Sequence, residues 1–317
     1  MTTVIVLGTT YSGSSAVFDY LNGRSDSYSP LADAEYLLPH VPYGLMQLRS
    51  ACSEAFHYTI AHEAFLRFKE VALRLARPAQ KYRYGGGYEQ LLPGFSREID
   101  QLVDSMIDSR MSMRFFWDEL NLDSAFHSFL YHLRRKLRPI NASTNVERLL
   151  PHQPDFLTDR VREMHYRLFR RPSDDLSFTL LNQAGSGWNP DQSTNFFPQR
   201  RVIVVSRDPR DQFAELKKHK GSTDVNQFVN WFRNLQERTV TGFPEIIYLR
   251  FEDFVFHYDT SCHSLLTFLG LSEKPTPYDP IASQKNVGLY RMELTVQEIQ
   301  VIESELRADH EGCFYDG

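Results

Sequence analysis

The stretch Val4–Leu21 reads VIVLGTTYSGSSAVFDYL: a short apolar run, a turn of small polar residues and an amphipathic helix. A helix N-terminus offers unpaired N–H groups and the positive end of the helix dipole, and Gly13 lets the backbone wrap around an anion. The hydroxyls of Ser12, Ser14 and Ser15 can add hydrogen bonds, and Ser12 or Ser14 can serve as the N-cap. The pattern predicts either an anion-binding turn or an ordinary capped strand–helix turn.

This turn differs from the phosphate loop of nucleotide hydrolases. The pattern GxxxxGK[ST] is absent, and no lysine lies within the stretch. Without that lysine and an acidic partner for magnesium, nucleotide hydrolysis is poorly supported.

Other short apolar runs, rich in β-branched residues, predict buried strands of a parallel sheet. Together with Thr3–Leu7 they are Ser177–Asn182, Arg201–Ser206, Glu245–Arg250 and, more weakly, Ser27–Pro30. Helical periodicity follows several of these runs. The alternation predicts an α/β fold with a parallel sheet of about five strands and helices on both faces.

Residues 46–171 have a different pattern, in which Leu, Phe, Arg and His recur at helical spacing. We interpret this range as a mostly helical insertion within a single domain that spans residues 1–317. Inside it, Arg134-Arg135-Lys136 is either a solvated helix face, as charge runs usually are, or a contact for an anionic acceptor.

Composition narrows the classes of function. The net charge of −5 over 317 residues argues against a general nucleic-acid binder. Cys52, Cys262 and Cys313 lie far apart, so neither a disulfide framework nor a metal site is predicted. The first apolar run is too short for a signal peptide or a membrane span, so we expect a cytoplasmic protein.

A second candidate anion site lies in the stretch RVIVVSRDPRDQFAEL, which begins at Arg201. Arg207 and Arg210 can each present a planar donor fork to a phosphate. Asp208 or Asp211 can cap the following helix or hold an arginine in place.

These motifs together resemble the sulfotransferases that use 3′-phosphoadenosine 5′-phosphosulfate (PAPS). Ser12–Ser15 resembles the loop that binds the 5′-phosphosulfate, and VIVVSRDPRD, from Val202 to Asp211, resembles the strand and turn that bind the 3′-phosphate. LRFEDFVFHYDTSCHSLLTFLGL, from Leu249 to Leu271, resembles the later strand and helix, and SQKNVGLYR, from Ser283, resembles the C-terminal loop over the cofactor. The resemblance implies a P-loop-like fold.

The resemblance also implies which residues bind PAPS and its product, adenosine 3′,5′-bisphosphate (PAP). At the 5′ end they are Tyr11, Ser12, Gly13, Ser14 and Ser15. Arg207 takes the position of the arginine that binds the 3′-phosphate. The candidate ligands in the C-terminal loop are Ser283, Lys285, Asn286 and Gly288, the alternative being an ordinary surface loop.

Two positions depart from the family pattern. Tyr11 stands where a lysine or arginine is common, and a phenol donates a hydrogen bond but carries no charge. Either the helix N-terminus does more, or a cation reaches in from elsewhere, or activity is weak or lost. Glu215 stands where a serine is usual, eight residues after Arg207, and a carboxylate repels phosphate. Compensating charge has three candidate sources: Lys217, Lys218 and Lys285.

Transfer of a sulfuryl group to a hydroxyl needs a base for the hydroxyl proton. Glu35 is the first candidate, because many carbohydrate-type members of the family carry a catalytic Glu after this strand; Asp33 is the neighbouring alternative. A solvent-facing or capping role for Glu35 is the other interpretation. Cytosolic members use a His in a Lys-Thr-His motif, but residues 181–185 read LNQAG here. The chain therefore resembles the carbohydrate or bacterial type more closely than the cytosolic type.

Polar side chains also follow the strand Ser177–Asn182. Because ligands gather beyond the carboxyl ends of parallel strands, Asn182 and Gln183 are candidates to bind the acceptor or the sulfate oxygens. Trp188 can stack on adenine or a sugar, or can simply pack in a loop.

The function implied is transfer of the sulfuryl group from PAPS to a hydroxyl of a carbohydrate or glycoconjugate. The partner is then a small molecule or a glycan. Two alternatives stay open: a P-loop kinase or related phosphotransferase that uses ATP and magnesium, and a non-catalytic module that binds PAP.

Overall fold

The computed structural model describes residues 2–53, 57–80, 86–113, 125–126, 129–130, 132–133, 146–151, 156–220 and 224–316. The charge run Arg134-Arg135-Lys136 lies outside the described residues, so neither interpretation of it is tested.

A parallel sheet of five strands forms the centre of the fold, in the order β2-β5-β1-β6-β7. Its strands are β1 (Thr2–Gly8), β2 (Ser27–Tyr28), β5 (Phe178–Asn182), β6 (Arg200–Ser206) and β7 (Ile246–Arg250). The predicted α/β class and the predicted five-stranded parallel sheet are confirmed. A separate antiparallel pair joins β3 (Ile107–Met113) to β4 (Val146–Pro151).

Fourteen α-helices are formed by the described residues with continuous bounds. The first seven are α1 (Ser14–Asn22), α2 (Leu45–Cys52), α3 (Tyr58–Ala76), α4 (Tyr88–Leu91), α5 (Phe95–Ser105), α6 (Leu157–Leu168) and α7 (Pro190–Thr194). The others are α8 (Pro209–Lys220), α9 (Val225–Arg238), α10 (Phe251–Phe256), α11 (Tyr258–Leu269), α12 (Pro280–Gln284), α13 (Tyr290–Glu293) and α14 (Val296–His310).

Side chains of β1 alternate between two hydrophobic cores, one on each face of the sheet. Val4 and Val6 pack with α1, α10 and α11, whereas Ile5 and Leu7 face the core shared with α2, α3, α5 and α6. All four side chains are fully buried, as expected for a central strand of a parallel sheet. This packing fixes the end of β1 at Gly8, directly before the candidate anion loop.

Helices α2–α6 and the β3–β4 pair lie between β2 and β5. The described part of residues 46–171 therefore contains two strands besides its helices. Among the described residues, no helix has both the length and the apolar character needed to cross a bilayer.

Candidate functional site

The candidate anion loop joins the end of β1 to the start of α1. The backbone N–H of Thr9 donates to the Ser12 hydroxyl at 3.2 Å. Gly13 is the N-cap residue, in the left-handed conformation with φ 80°, and no side chain caps the helix. The prediction that Ser12 or Ser14 caps α1 is therefore wrong: Ser12 closes the turn instead, and Ser14 is the first helical residue.

Glycine is required at position 13 for two separate reasons. Its positive φ is a conformation that residues with a side chain rarely adopt. A Cβ atom there would also lie 2.5 Å from the ring of Phe251. The loop can thus pass close to α10 only because it has no side chain at this point.

Two glutamine side chains hold the loop in place. The Gln183 side chain accepts from the Gly8 N–H at 3.1 Å and donates to the Ser14 hydroxyl at 3.0 Å. Gln212, from α8, donates to the carbonyl oxygens of Thr9 and Thr10. With its hydroxyls and carbonyls anchored in this way, the loop presents the free N–H groups of the α1 N-terminus on one side.

A cleft of about 540 Å³ opens over this N-terminus. It is lined by Gly8, Thr10, Tyr11, Ser12, Gly13, Ser14, Ser15, Glu35, His40 and Gln183. The cleft brings together all five residues predicted to bind the 5′ end of the cofactor and the predicted base Glu35. No lysine or arginine belongs to this lining among the described residues, so its positive potential comes from the helix terminus.

Tyr11, which stands in the usual position of a cation, has a strained backbone and a stacked ring. Its φ is 58°, in the left-handed region. Its ring stacks on the imidazole of His219, with centroids 5.1 Å apart and planes inclined by 12°. His219 is exposed, so this ring pair lies at the solvent side of the loop.

Arg207 reaches the loop from the end of β6. Its Nη1 donates to the carbonyl oxygen of Tyr11 at 3.0 Å and also to the carboxylate of Glu215, while its Nη2 donates to the carbonyl oxygen of Asn286. Its guanidinium lies 5.3 Å from the centroid of the Phe251 ring. The residue is only 3% exposed, and its Nε has no hydrogen-bond partner among the described residues. Arg207 thus connects the first motif, the second motif and the C-terminal loop.

Arg210 has a structural role, in contrast to the prediction that it can present its donors to a phosphate. Asp208 accepts two hydrogen bonds from the Arg210 guanidinium, at 3.0 and 2.7 Å. Glu303 and Asp316 bind the same guanidinium, which is 3% exposed. Asp208 holds an arginine in place, as the sequence suggested, and the arginine that it holds is Arg210.

The Asp208 backbone rests on a buried carboxyl group. Its N–H donates to Oε1 of Glu252 at 2.9 Å, whereas Oε2 of Glu252 has no partner among the described residues. Burial raises the pKa of Glu252 to about 7. A carboxyl group poised between its two protonation states therefore lies beneath the arginine-bearing turn.

The predicted ligands in the C-terminal loop are largely engaged with the protein itself. Gly288 donates its N–H to Asp211 at 2.7 Å, and the carbonyl of Asn286 accepts from Arg207. The Ser283 hydroxyl accepts from Tyr278 at 3.0 Å. Lys285 is exposed. Asp211 holds this loop against α8, and burial raises its pKa.

Of the three candidate sources of compensating charge, two are paired with glutamates. Lys217 binds Glu298 at 2.7 Å, and Lys218 lies 3.8 Å from Glu293. Lys285, the third, has no ion pair among the described residues.

Glu35 and His40 lie on the wall of the cleft that comes from the segment after β2. Glu35 forms a parallel bridge with Asn182, at the end of β5, and its side chain is exposed. Asp33 is also exposed, and its carbonyl accepts from the Asn182 amide at 3.3 Å. The structure thus brings Glu35 to the anion loop, as the prediction for a base requires.

His40 is a residue of this cleft that the sequence did not single out. Its Nδ1 is buried and has no partner among the described residues. Burial lowers the pKa of His40 to about 4, so the imidazole is neutral at pH 7. Its position five residues after Glu35, in the same connection, was the only indication in the sequence.

Asn182, Gln183 and Trp188 lie near the carboxyl end of β5, but their roles differ. Asn182 ties the Glu35 segment to the sheet, and Gln183 supports the anion loop. Trp188 packs edge-on against Trp231, with centroids 5.6 Å apart. Packing, one of the two interpretations offered for Trp188, is the contact that the structure contains.

No family model matches the sequence, and no curated protein matches it. Among solved structures, the sulfotransferase domain of the olefin synthase from Synechococcus PCC 7002 matches with a TM-score of 0.41 and 14% identity, covering 96% of this chain and 94% of that one. The sulfotransferase domain from the curacin biosynthetic pathway gives 0.42, 13%, 96% and 97%. Sulfotransferase STF9 from Mycobacterium avium gives 0.39, 11%, 96% and 75%. All three are sulfotransferases, the family that the motifs resemble, and the identities are too low to transfer the role of any residue.

Proposed function

We propose that this chain is a sulfotransferase that moves the sulfuryl group of PAPS to a hydroxyl of a carbohydrate or glycoconjugate, with PAP as the second product. The contact between Arg207 and the Tyr11 carbonyl carries this proposal. It joins the two separated donor clusters, so that one nucleotide with a phosphate at each end of its ribose can contact both. The carbohydrate acceptor rests on the motif resemblance and on the position of Glu35 in the cleft.

The 5′ end of the nucleotide fits the loop. The N–H groups at the start of α1 and the hydroxyls around Gly13 suit a phosphosulfate, because both are donors and the helix dipole favours negative charge. The leaving phosphate gains charge as the sulfuryl group departs, and donors held by Gln183 and Gln212 need little reorganisation to stabilise that charge.

The acceptor hydroxyl loses its proton while its oxygen forms a bond to sulfur. Glu35, exposed at the edge of the cleft, is the proposed base for this proton. His40 is the competing candidate, because it is neutral at pH 7 and has an unpaired ring nitrogen. Both residues lie on the same wall of the cleft, so the acceptor enters along that wall.

One observation favours the second candidate function, a module that binds PAP without catalysis. The described lining of the cleft contains no lysine or arginine to stabilise the leaving phosphate. Incubation of the chain with PAPS and a panel of sugar and other hydroxyl acceptors separates the two functions. Release of PAP that depends on the acceptor supports the enzyme, whereas binding of PAP without any transfer supports the module.

The melting temperature of the full chain tests the nucleotide site. We expect PAP to raise it and ATP with Mg²⁺ to leave it unchanged. Arg207→Ala should abolish the gain with PAP, whereas Arg233→Ala, which removes an arginine paired with Glu305, should retain it. Because Arg207 is buried, Arg207→Lys is measured alongside; it keeps the charge but loses the planar fork.

The absence of any PAP effect on the wild-type chain would overturn the proposal. Stabilisation by ATP with Mg²⁺ but not by PAP would favour a kinase or related phosphotransferase. Circular dichroism of each variant separates loss of the nucleotide site from loss of the fold.

A further inference from the structure

The donors of Arg207 are engaged by protein groups on the side where a phosphate would bind. Of its five N–H groups, the two on Nη1 serve Tyr11 and Glu215, and Nη2 serves Asn286. The Nε atom is inaccessible to solvent. A phosphate that binds Arg207 through two parallel hydrogen bonds therefore has to replace an existing partner.

Glu215 is the partner that an anion can replace. Its side chain is 24% exposed, compared with 2% for Arg207, so the carboxylate lies on the solvent side of the ion pair. The other two partners are backbone carbonyls, and each belongs to a segment that is fixed by further hydrogen bonds: Gln212 holds the loop before Tyr11, and Asp211 holds Gly288. A side chain on α8 can change its rotamer without disturbing either segment.

Charge leads to the same choice. A phosphate and the Glu215 carboxylate on one guanidinium would place two anions side by side, which is strongly unfavourable where water is excluded. Lys217 and Lys218, on the same helix, are paired with Glu298 and Glu293. Neither lysine is therefore unpaired and able to offset the second negative charge.

We propose that Glu215 is an internal competitor for the 3′-phosphate and so sets how strongly the site distinguishes PAP from adenosine 5′-monophosphate (AMP). PAP binds only when the carboxylate leaves Arg207. AMP, which has no 3′-phosphate, binds the anion loop with the ion pair intact. Glu215 is thus a specificity-determining residue of the nucleotide site, an inference that rests on the proposed function.

Calorimetric titration of PAP and of AMP into the full chain tests this role. In Glu215→Gln, which keeps the size of the side chain and removes its charge, we expect PAP to bind about 10- to 100-fold more tightly and AMP to bind as before. Glu215→Ser, a shorter neutral side chain, should act in the same direction. Glu293→Gln removes an equal charge from the Lys218 pair and should change neither affinity.

Unchanged PAP affinity in both Glu215 variants, with the wild type binding PAP, would overturn this inference and leave the proposed function intact. Equal tightening of PAP and AMP would also overturn it, since that result indicates a general electrostatic effect. Failure of the wild type and of both variants to bind PAP would overturn the inference and the proposed function together. Melting curves of all variants establish that each one is folded.

Discussion

Arg207 and Tyr11 are 196 positions apart in the sequence, and Nη1 of the arginine donates to the carbonyl oxygen of the tyrosine at 3.0 Å. Phe251 lies between the two motifs: the guanidinium lies over its ring, and Gly13 passes so close that a Cβ atom would clash with it. The arginine, the aromatic ring and the anion loop therefore form one packed unit. A change at any of the three is expected to affect nucleotide binding.

Gly13→Ala tests the close passage of the loop. We expect it to destabilise the fold by about 1–3 kcal/mol and to abolish the PAP-induced rise in melting temperature, because alanine brings both strain and a clash with Phe251. Gly242→Ala is the matched control: its φ is 96°, but no atom lies within 4 Å of the new Cβ. It should lower stability through strain alone and retain PAP binding. Retention of PAP binding in Gly13→Ala would contradict the account of the loop.

Gln183→Ala tests the support of the loop from β5. The substitution removes the hydrogen bonds to Gly8 and Ser14, so we expect PAP affinity to fall about tenfold and stability to fall by about 1–2 kcal/mol. Gln183→Glu keeps the acceptor for Gly8 but places a carboxylate beside the anion loop. It should lose more PAP affinity than the alanine variant while unfolding at a higher temperature.

Asn234→Ala supplies the control for these two variants. It removes an amide that donates to the carbonyl of Asn230 at 2.7 Å on the exposed part of α9. Calorimetry should find the same PAP affinity as in the wild type. If Gln183→Ala also binds PAP as the wild type does, Gln183 does not position the loop.

Glu35→Gln and His40→Gln identify the base. We expect Glu35→Gln to lower kcat for sulfuryl transfer about 100-fold without changing PAP affinity, because it removes the proton acceptor and leaves the nucleotide site intact. His40→Gln should lower kcat much less. The comparison is made by single-turnover assays with saturating PAPS. The opposite order of the two effects would assign the proton transfer to His40.

The buried carboxyl group of Glu252 predicts a pH-dependent gain in stability for Glu252→Gln. The pKa of Glu252 is raised from 4.5 to about 7, so the folded chain binds a proton more tightly than the unfolded chain, and wild-type stability decreases as pH rises through this range. The glutamine has no such proton to lose. We expect the variant to gain about 1–3 kcal/mol over the wild type between pH 5 and pH 8, as measured by urea unfolding.

The histidines contribute with the opposite sign. Burial lowers the pKa of His40 to about 4 and that of His165 to about 3, so both favour the folded state above pH 6.5 and cost stability as pH falls below it. These residues are the same in the wild type and in Glu252→Gln. The difference between the two proteins therefore isolates the carboxyl group, and a difference that is independent of pH would contradict the assignment.

The sequence was sufficient to predict the strands and the two anion-site motifs. Short apolar runs mark the strands of a parallel sheet because both faces of these strands are buried, as Val4 and Ile5 illustrate from the two sides of β1. Parallel strands also place their carboxyl ends on one edge, which is why the turn after β1 and the turn after β6 meet.

Side-chain pairing was harder to predict. Arg207 and Arg210 are equivalent in the sequence, but Asp208, Glu303 and Asp316 engage Arg210 and make it structural. Two of these three carboxylates come from the far end of the chain, where nothing local indicates an arginine partner. The capping of α1 was mistaken for a similar reason: the close approach of Phe251 makes Gly13 the N-cap, and that contact spans most of the sequence.

The structure of the chain with PAP bound tests the central claim most directly. We expect one PAP molecule to bridge the site, with its 5′-phosphate on the N–H groups of Ser14 and Ser15 and its 3′-phosphate on Arg207, and with Glu215 displaced from that arginine. PAP bound away from the Gly13 turn, or bound there with its 3′-phosphate out of reach of Arg207, would contradict the claim.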